Sequence, residues 1–174
     1  MDTILVGIDP GIVDTGLVII RLDPVARTVS VRHRVWTDVS REVDKTFVID
    51  PGFLLRINSD VQTIRESNGT VYTFLEGYRN RGRNIKQDAQ MTTLVQTLAR
   101  SIKGCTVVDN TGVKNVVKPA FMNLFGFDFP TTNHADLESA ARIALKGGLV
   151  NDEVNLLLSD FVRDALTGNL WREI

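Results

Sequence analysis

One cysteine in 174 residues, Cys105, excludes an internal disulfide, so cross-linking does not hold this chain together. Cys105 opens an apolar run and reads as a small buried residue, which fits a reducing, cytoplasmic setting. Charge of one sign is also missing. Twenty Lys and Arg stand against 21 Asp and Glu, for a formal net charge of −1. Any nucleic-acid site must therefore be a local basic patch on a near-neutral protein. No apolar run approaches the roughly 18 residues of a membrane span, so no membrane partner is expected. No basic segment followed by an apolar stretch opens the chain, so no secretory signal is expected. Repeats, low-complexity tracts and linkers are absent too. The remaining composition, 43% hydrophobic and 24% charged, is ordinary for a globular chain and predicts a single domain over 1–174.

What is present is a clear alternation of segments. Strands are predicted at 3–9, 15–21 and 28–36, where Val29, Val31 and Val35 alternate along one face. The polar stretch 37–51 fits neither period. A helix is predicted over 52–67 from Phe53, Leu54, Ile57, Val61 and Ile64, stopped by Asn68-Gly69. A fourth strand follows at 70–76, a helix at 84–103 closed by Gly104, and a fifth strand at 105–110. Pro119 starts a short helix at 119–125. A small-residue helix from 133 to 146 is expected to end at Gly147-Gly148, with one more helix in the tail at 151–166. Three strands joined by short turns form an antiparallel meander, and the strand–helix alternation after them implies parallel additions with helices on both faces. The expected architecture is α/β, a five-stranded mixed sheet.

Two of these strands end on an acid. The first runs "ILVGIDPGIVDTG" and stops at Asp9; the fourth runs "TVYTFLEGY" and stops at Glu76. A carboxylate ending a buried strand is costly unless paired or bound to a cation. The ordinary alternatives are a turn aspartate and a solvated strand end. If the two strands are parallel neighbours, both acids emerge at one carboxyl edge, where open α/β sheets place their sites. A third acidic group lies in "NHADLESAARIAL". Asp136 and Ser139 are three apart and share a helix face; His134 and Glu138 share another. The ordinary reading of these acids is helix N-terminal decoration. Converging acids suit Mg²⁺ or Mn²⁺, and a pair of such ions about 3.5–4 Å apart is a recurring arrangement for phosphodiester hydrolysis. The glycines Gly11 and Gly16 are expected to leave bare backbone for a bulky substrate.

These residues resemble the RuvC family of Holliday junction resolvases, within the ribonuclease H-like superfamily. "GIDPGIVDTG" resembles the family's opening motif, "FLEGY" its second, and "ADLESAARIAL" its last. The resemblance covers about residues 1–146; the tail from 148 to 174 has no counterpart motif. It implies a ribonuclease H-like fold and a metal-dependent endonuclease of recombination and repair that cuts four-way DNA junctions as a homodimer. Asp9, Glu76 and Asp136 take three metal-ligand places. The fourth falls on Ser139, which is not an acid; Glu138 and His134 are the other candidates to turn in. Two Mg²⁺ or Mn²⁺ ions per site are implied, and Lys114 and Lys118 fall where the family has lysines near the scissile phosphate.

Between the second acid and the next helix the chain reads "GYRNRGRNIK". Arg79, Arg81, Arg83 and Lys86 suit phosphate contacts, the ordinary alternative being a solvated loop, with Asp88 the single acid among them. Tyr78 fits either stacking on an unpaired base or packing at the helix start. The stripe Met91, Leu94, Val95, Leu98 and Ile102 fits either plain core or the family's dimer contact. Other readings remain: a ribonuclease H-like nuclease of RNA–DNA hybrids or of flaps and forks, a non-catalytic branched-DNA binding protein, and, least of all at this length, a nucleotide-binding protein of the actin and sugar-kinase type.

Overall fold

A computed structural model describes residues 1–174. Strands β1 (Thr3–Asp9), β2 (Thr15–Asp23) and β3 (Thr28–Trp36) form the meander, with Asp9 opposite Gly16 and Thr15 opposite Trp36. The excursion at 37–51 is a small hairpin, β4 (Ser40–Val43) with β5 (Thr46–Ile49), and then the cap of the next helix. Helix α1 (Pro51–Arg65) starts where its length and caps require: Asp50 accepts from the Phe53 N–H at 2.8 Å, and Pro51 occupies the first turn. Next come β6 (Thr70–Gly77), α2 (Ile85–Ser101) and β7 (Cys105–Asp109). Two short helices, α3 (Val113–Val116) and α4 (Pro119–Asn123), lead through a turn at Thr131–Asn133 into α5 (His134–Val150). Helix α6 (Asp152–Leu166) and a two-residue strand, β8 (Arg172–Glu173), complete the chain.

The main sheet has the order β7-β6-β1-β2-β3-β8, six strands where five were expected. The sixth, β8, pairs parallel with β3 at Thr28 and Val29 and is too short to show a period. Strand β1 runs parallel to β6, and β6 parallel to β7. Alternation along β1 feeds two cores. Ile4, Val6 and Ile8 pack with Phe53, Ile57, Leu94 and Leu98 on the α1/α2 side. Leu5 packs with Leu137, Ala140, Ala144 and Phe161 on the α5/α6 side. Each large apolar side chain fully buried in these layers contributes about 1.5–3 kcal/mol.

Three expectations change. Helix α5 does not stop at Gly147-Gly148 but runs through both to Val150. A Cβ on Gly147 would stand 2.3 Å from the Phe74 ring, and one on Gly148 would stand 2.9 Å from Val154. These glycines let the helix lie against β6 and α6. Of the α2 stripe, Leu94, Val95, Leu98 and Ile102 are buried inside the chain's own core, and Met91 is half-buried beside Asp9. The stripe is not a free face for a second copy. Gly16 is buried and serves the chain itself, while Gly11 stays partly exposed but has no room for a side chain. A Cβ on Gly11 would stand 2.2 Å from the Asp14 carbonyl oxygen, and one on Gly16 would stand 3.1 Å from that of Asp136.

Candidate active site

Asp9 closes β1 and Glu76 lies one residue before the end of β6. The parallel register, Ile8 beside Leu75, carries both acids to the same carboxyl edge. Helix α5 crosses this edge at backbone distance, because Gly7 and Gly16 offer it no side chain. Its first two turns thereby set Asp136 and Ser139 over the strand ends. The Ser139 hydroxyl donates to Glu76 Oε2 at 3.1 Å, and the Asn110 amide donates to Glu76 Oε1. Each carboxylate oxygen of Glu76 thus has a donor.

Electrostatics mark the centre of the group. Burial pushes the Asp9 carboxyl up to about 9; the hydrogen bond and charge of Glu76 add to this, as does the charge of Asp136, while the Ser139 hydroxyl acts in the opposite direction. The Asp9 residue is half-buried and lines a cleft of about 150 Å³ together with Glu76, Tyr78, Arg81 and Asn110. No lysine, arginine or histidine forms an ion pair with Asp9, Glu76 or Asp136. No three His, Cys, Asp or Glu side chains converge closely enough to make a ready-built metal cage. Asn110 presents its amide nitrogen to Glu76, and the candidate ligands at the edge are nonetheless hard oxygens, from three carboxylates and a hydroxyl. Their mutual repulsion is what a hard divalent cation relieves, so the residues fit one.

The other candidates are placed elsewhere. Glu138 turns to the opposite side of α5, where its Oε1 accepts from Arg142 at 2.6 and 3.2 Å and its Oε2 lies 3.7 Å from His134 Nδ1. Both line a separate cavity of about 400 Å³ with Arg142 and Phe129. The expectation that Glu138 or His134 turns in beside Asp9 is not met, because the buried Arg142 holds Glu138 away. Lys114 and Lys118 stand exposed on α3 and before α4, outside the Asp9 cleft. Arg79, Arg81 and Arg83 share a groove of about 490 Å³ with Tyr78 and Asn110, directly beside that cleft. Arg79 pairs with Asp109 at 3.1 Å and Lys86 with Glu42 at 2.8 Å, while Arg81 and Arg83 have no acidic partner. The Tyr78 hydroxyl bonds Asp88, which places the ring at the helix start.

Asn110 was not singled out in the sequence. The signal was there: β7 is a third strand running to the same edge, with Val108 beside Glu76, so the residue just past its end falls next to that acid.

No family model matches the chain, and no curated protein does. Solved structures do. A structure of T. thermophilus RuvC in complex with Holliday junction substrate aligns over 96% of this chain and 97% of its own, at 15% identity and a TM-score of 0.52. Another structure of Thermus thermophilus RuvC aligns over 83% of this chain and 92% of its own, at 17% identity and a TM-score of 0.43. This chain therefore has the ribonuclease H-like fold of RuvC, with six strands in its main sheet.

Proposed function

We propose that this protein is a divalent-cation-dependent endonuclease that nicks branched DNA, with the four-way junction as substrate and a homodimer as the working unit. The observation that carries the reading is that Asp9 and Glu76 line one cleft with Arg81, with Asp136 of a third element near enough for its charge to act on Asp9. The RuvC fold, seen in a protein solved with a Holliday junction, supports it.

Asp9, Glu76 and Asp136 would hold Mg²⁺ or Mn²⁺, two ions in the full arrangement. When bound, such ions activate water and stabilise the leaving 3′ oxygen. The chain's own groups do the rest. Asn110 and Ser139 fix the Glu76 carboxylate by one hydrogen bond to each oxygen. Burial and the neighbouring acids favour the protonated form of the Asp9 carboxyl, and a cation competes with that proton, so binding strengthens as pH rises. Arg81 and Arg83, free of acidic partners, meet phosphates and position the strand without reading its sequence. Two sites related by a two-fold axis would nick opposing strands of the junction. Because the α2 stripe is buried, the two-fold contact falls on other surface, and sedimentation equilibrium measures whether the dimer forms.

The test uses an end-labelled synthetic four-way junction with Mg²⁺ or Mn²⁺, beside linear duplex, a replication fork and an RNA–DNA hybrid. Paired symmetric nicks in the junction, lost in Asp9→Asn, support the proposal. Cutting of forks and flaps as well makes it a general branch nuclease. Cutting of the hybrid alone makes it a ribonuclease. Tight junction binding without cutting makes it a binding protein, with Ser139 marking the missing fourth acid.

A further inference from the structure

Asp88 is the one acid among the basic residues that follow Glu76, and its surroundings are not those of a counter-charge. It is 3% exposed in the first turns of α2, yet no lysine or arginine pairs with it. Its carboxylate takes three donors from the loop that precedes the helix. These are the Tyr78 hydroxyl, the Arg81 N–H at 3.4 Å and the Gly82 N–H at 3.0 Å. Gly82 has φ +66°, and its N–H is shared with the Asn80 side chain at 2.8 Å. A buried carboxylate persists only when donors satisfy it, and here all of them come from the loop. An acid that merely favoured the helix dipole would need none of these contacts. The helix start is already capped, since Asn84 accepts from the Gln87 N–H at 3.1 Å.

With two consecutive amides held, the backbone at Arg81 is fixed. From it the Arg81 side chain reaches the cleft lined by Asp9 and Glu76. We propose that Asp88, together with Tyr78, is a positioning residue that holds the 78–83 loop in the shape delivering Arg81 to the phosphate to be cut. The proposal rests on the nuclease reading above. It means the basic loop is ordered before DNA arrives. A mobile loop of this length would instead lose about 1–2 kcal/mol per residue of backbone freedom on binding.

The experiment uses Asp88→Asn, which keeps the shape and removes the charge, and Tyr78→Phe, which keeps the ring and removes one donor. In the free proteins, the Arg81 and Gly82 amides of Asp88→Asn should exchange with solvent about tenfold faster, and those of Tyr78→Phe less so, while β6 and the body of α2 keep their protection. On a four-way junction, Asp88→Asn should lower cleavage about tenfold in the wild-type background and hardly at all in Arg81→Ala, because Asp88 acts through Arg81. Unchanged amide exchange, or an equal loss in both backgrounds, overturns the proposal. A wild type that cuts no branched DNA would refute the nuclease reading and remove Arg81's target. Amide exchange would then still decide, by itself, whether Asp88 shapes the loop.

Discussion

On one side of the first turns of α5, Asp136 and Ser139 meet Asp9 and Glu76, and none of these three acids has a cationic partner. On the other side, Glu138 is gripped by Arg142, whose third guanidinium nitrogen donates to the Val117 carbonyl oxygen inside the core. The same helix thus carries one balanced carboxylate and helps crowd three unbalanced ones. A balanced pair ties α5 to the turn before α4 and serves stability. A crowded set opposes folding, since burial and like charge both disfavour the ionised form. Carboxylates kept together against that penalty are what the proposed cation-binding role would require.

Breaking the unbalanced side should have the largest effect on function. Asp9→Asn lowers junction cutting by more than about a hundredfold, beyond the cost of losing an outer partner of a metal ligand. Glu138→Gln leaves cutting close to wild type. Equal losses in the two variants would erase the distinction between the clefts. Stability should move the opposite way. Asp9→Asn raises Tm in chelator, by about 2–4 °C for each kcal/mol of protonation and burial cost that it removes. Arg142→Ala lowers stability by about 2–3 kcal/mol in urea titration, less than the roughly 3–5 kcal/mol of a fully buried pair because Glu138 reaches solvent.

The same contrast predicts a pH dependence. Asp9 keeps its proton up to about 9 in the folded protein, against an ordinary value of 3.8 when unfolded. The folded state therefore binds more protons across that window, and stability in chelator falls as pH rises through it. Thermal scans at several pH values check this, and Asp9→Asn should flatten the slope. The smallest effect is expected at Lys86→Ala, which removes only the exposed pair with Glu42 and should change stability by less than about 1 kcal/mol.

The fold was largely legible because its main strands carry their own period and end on turn residues. Strands β1, β3 and β6 lie where alternation puts them. The hairpin at 40–49 was not legible: its turn places Asp44 and Lys45 at φ 48° and 64°, without the glycine or asparagine that announces such a turn. Gly147 and Gly148 read as a stop because a packing glycine and a terminating glycine look alike until the neighbour, here Phe74, is known. At the site, Asp9, Glu76 and the Asp136/Ser139 face followed from strand ends and helix spacing. The direction Glu138 takes depended on Arg142, one turn further along the same face, whose burial no local pattern declares.

Gly7 bears no chemistry, yet it acts as the gauge of the site. A Cβ there would lie 1.9 Å from the Ala140 carbonyl oxygen, so helix and strand touch main chain to main chain with nothing compressible between them. The spacing of Asp136 from Asp9 is thus calibrated by two stiff surfaces, and no rotamer can retune it. One added methyl group would force the helix back by roughly an ångström, a misplacement that can cost an active site about a hundredfold in rate. The working dimension of the cleft is in this sense written by an atom the sequence leaves out.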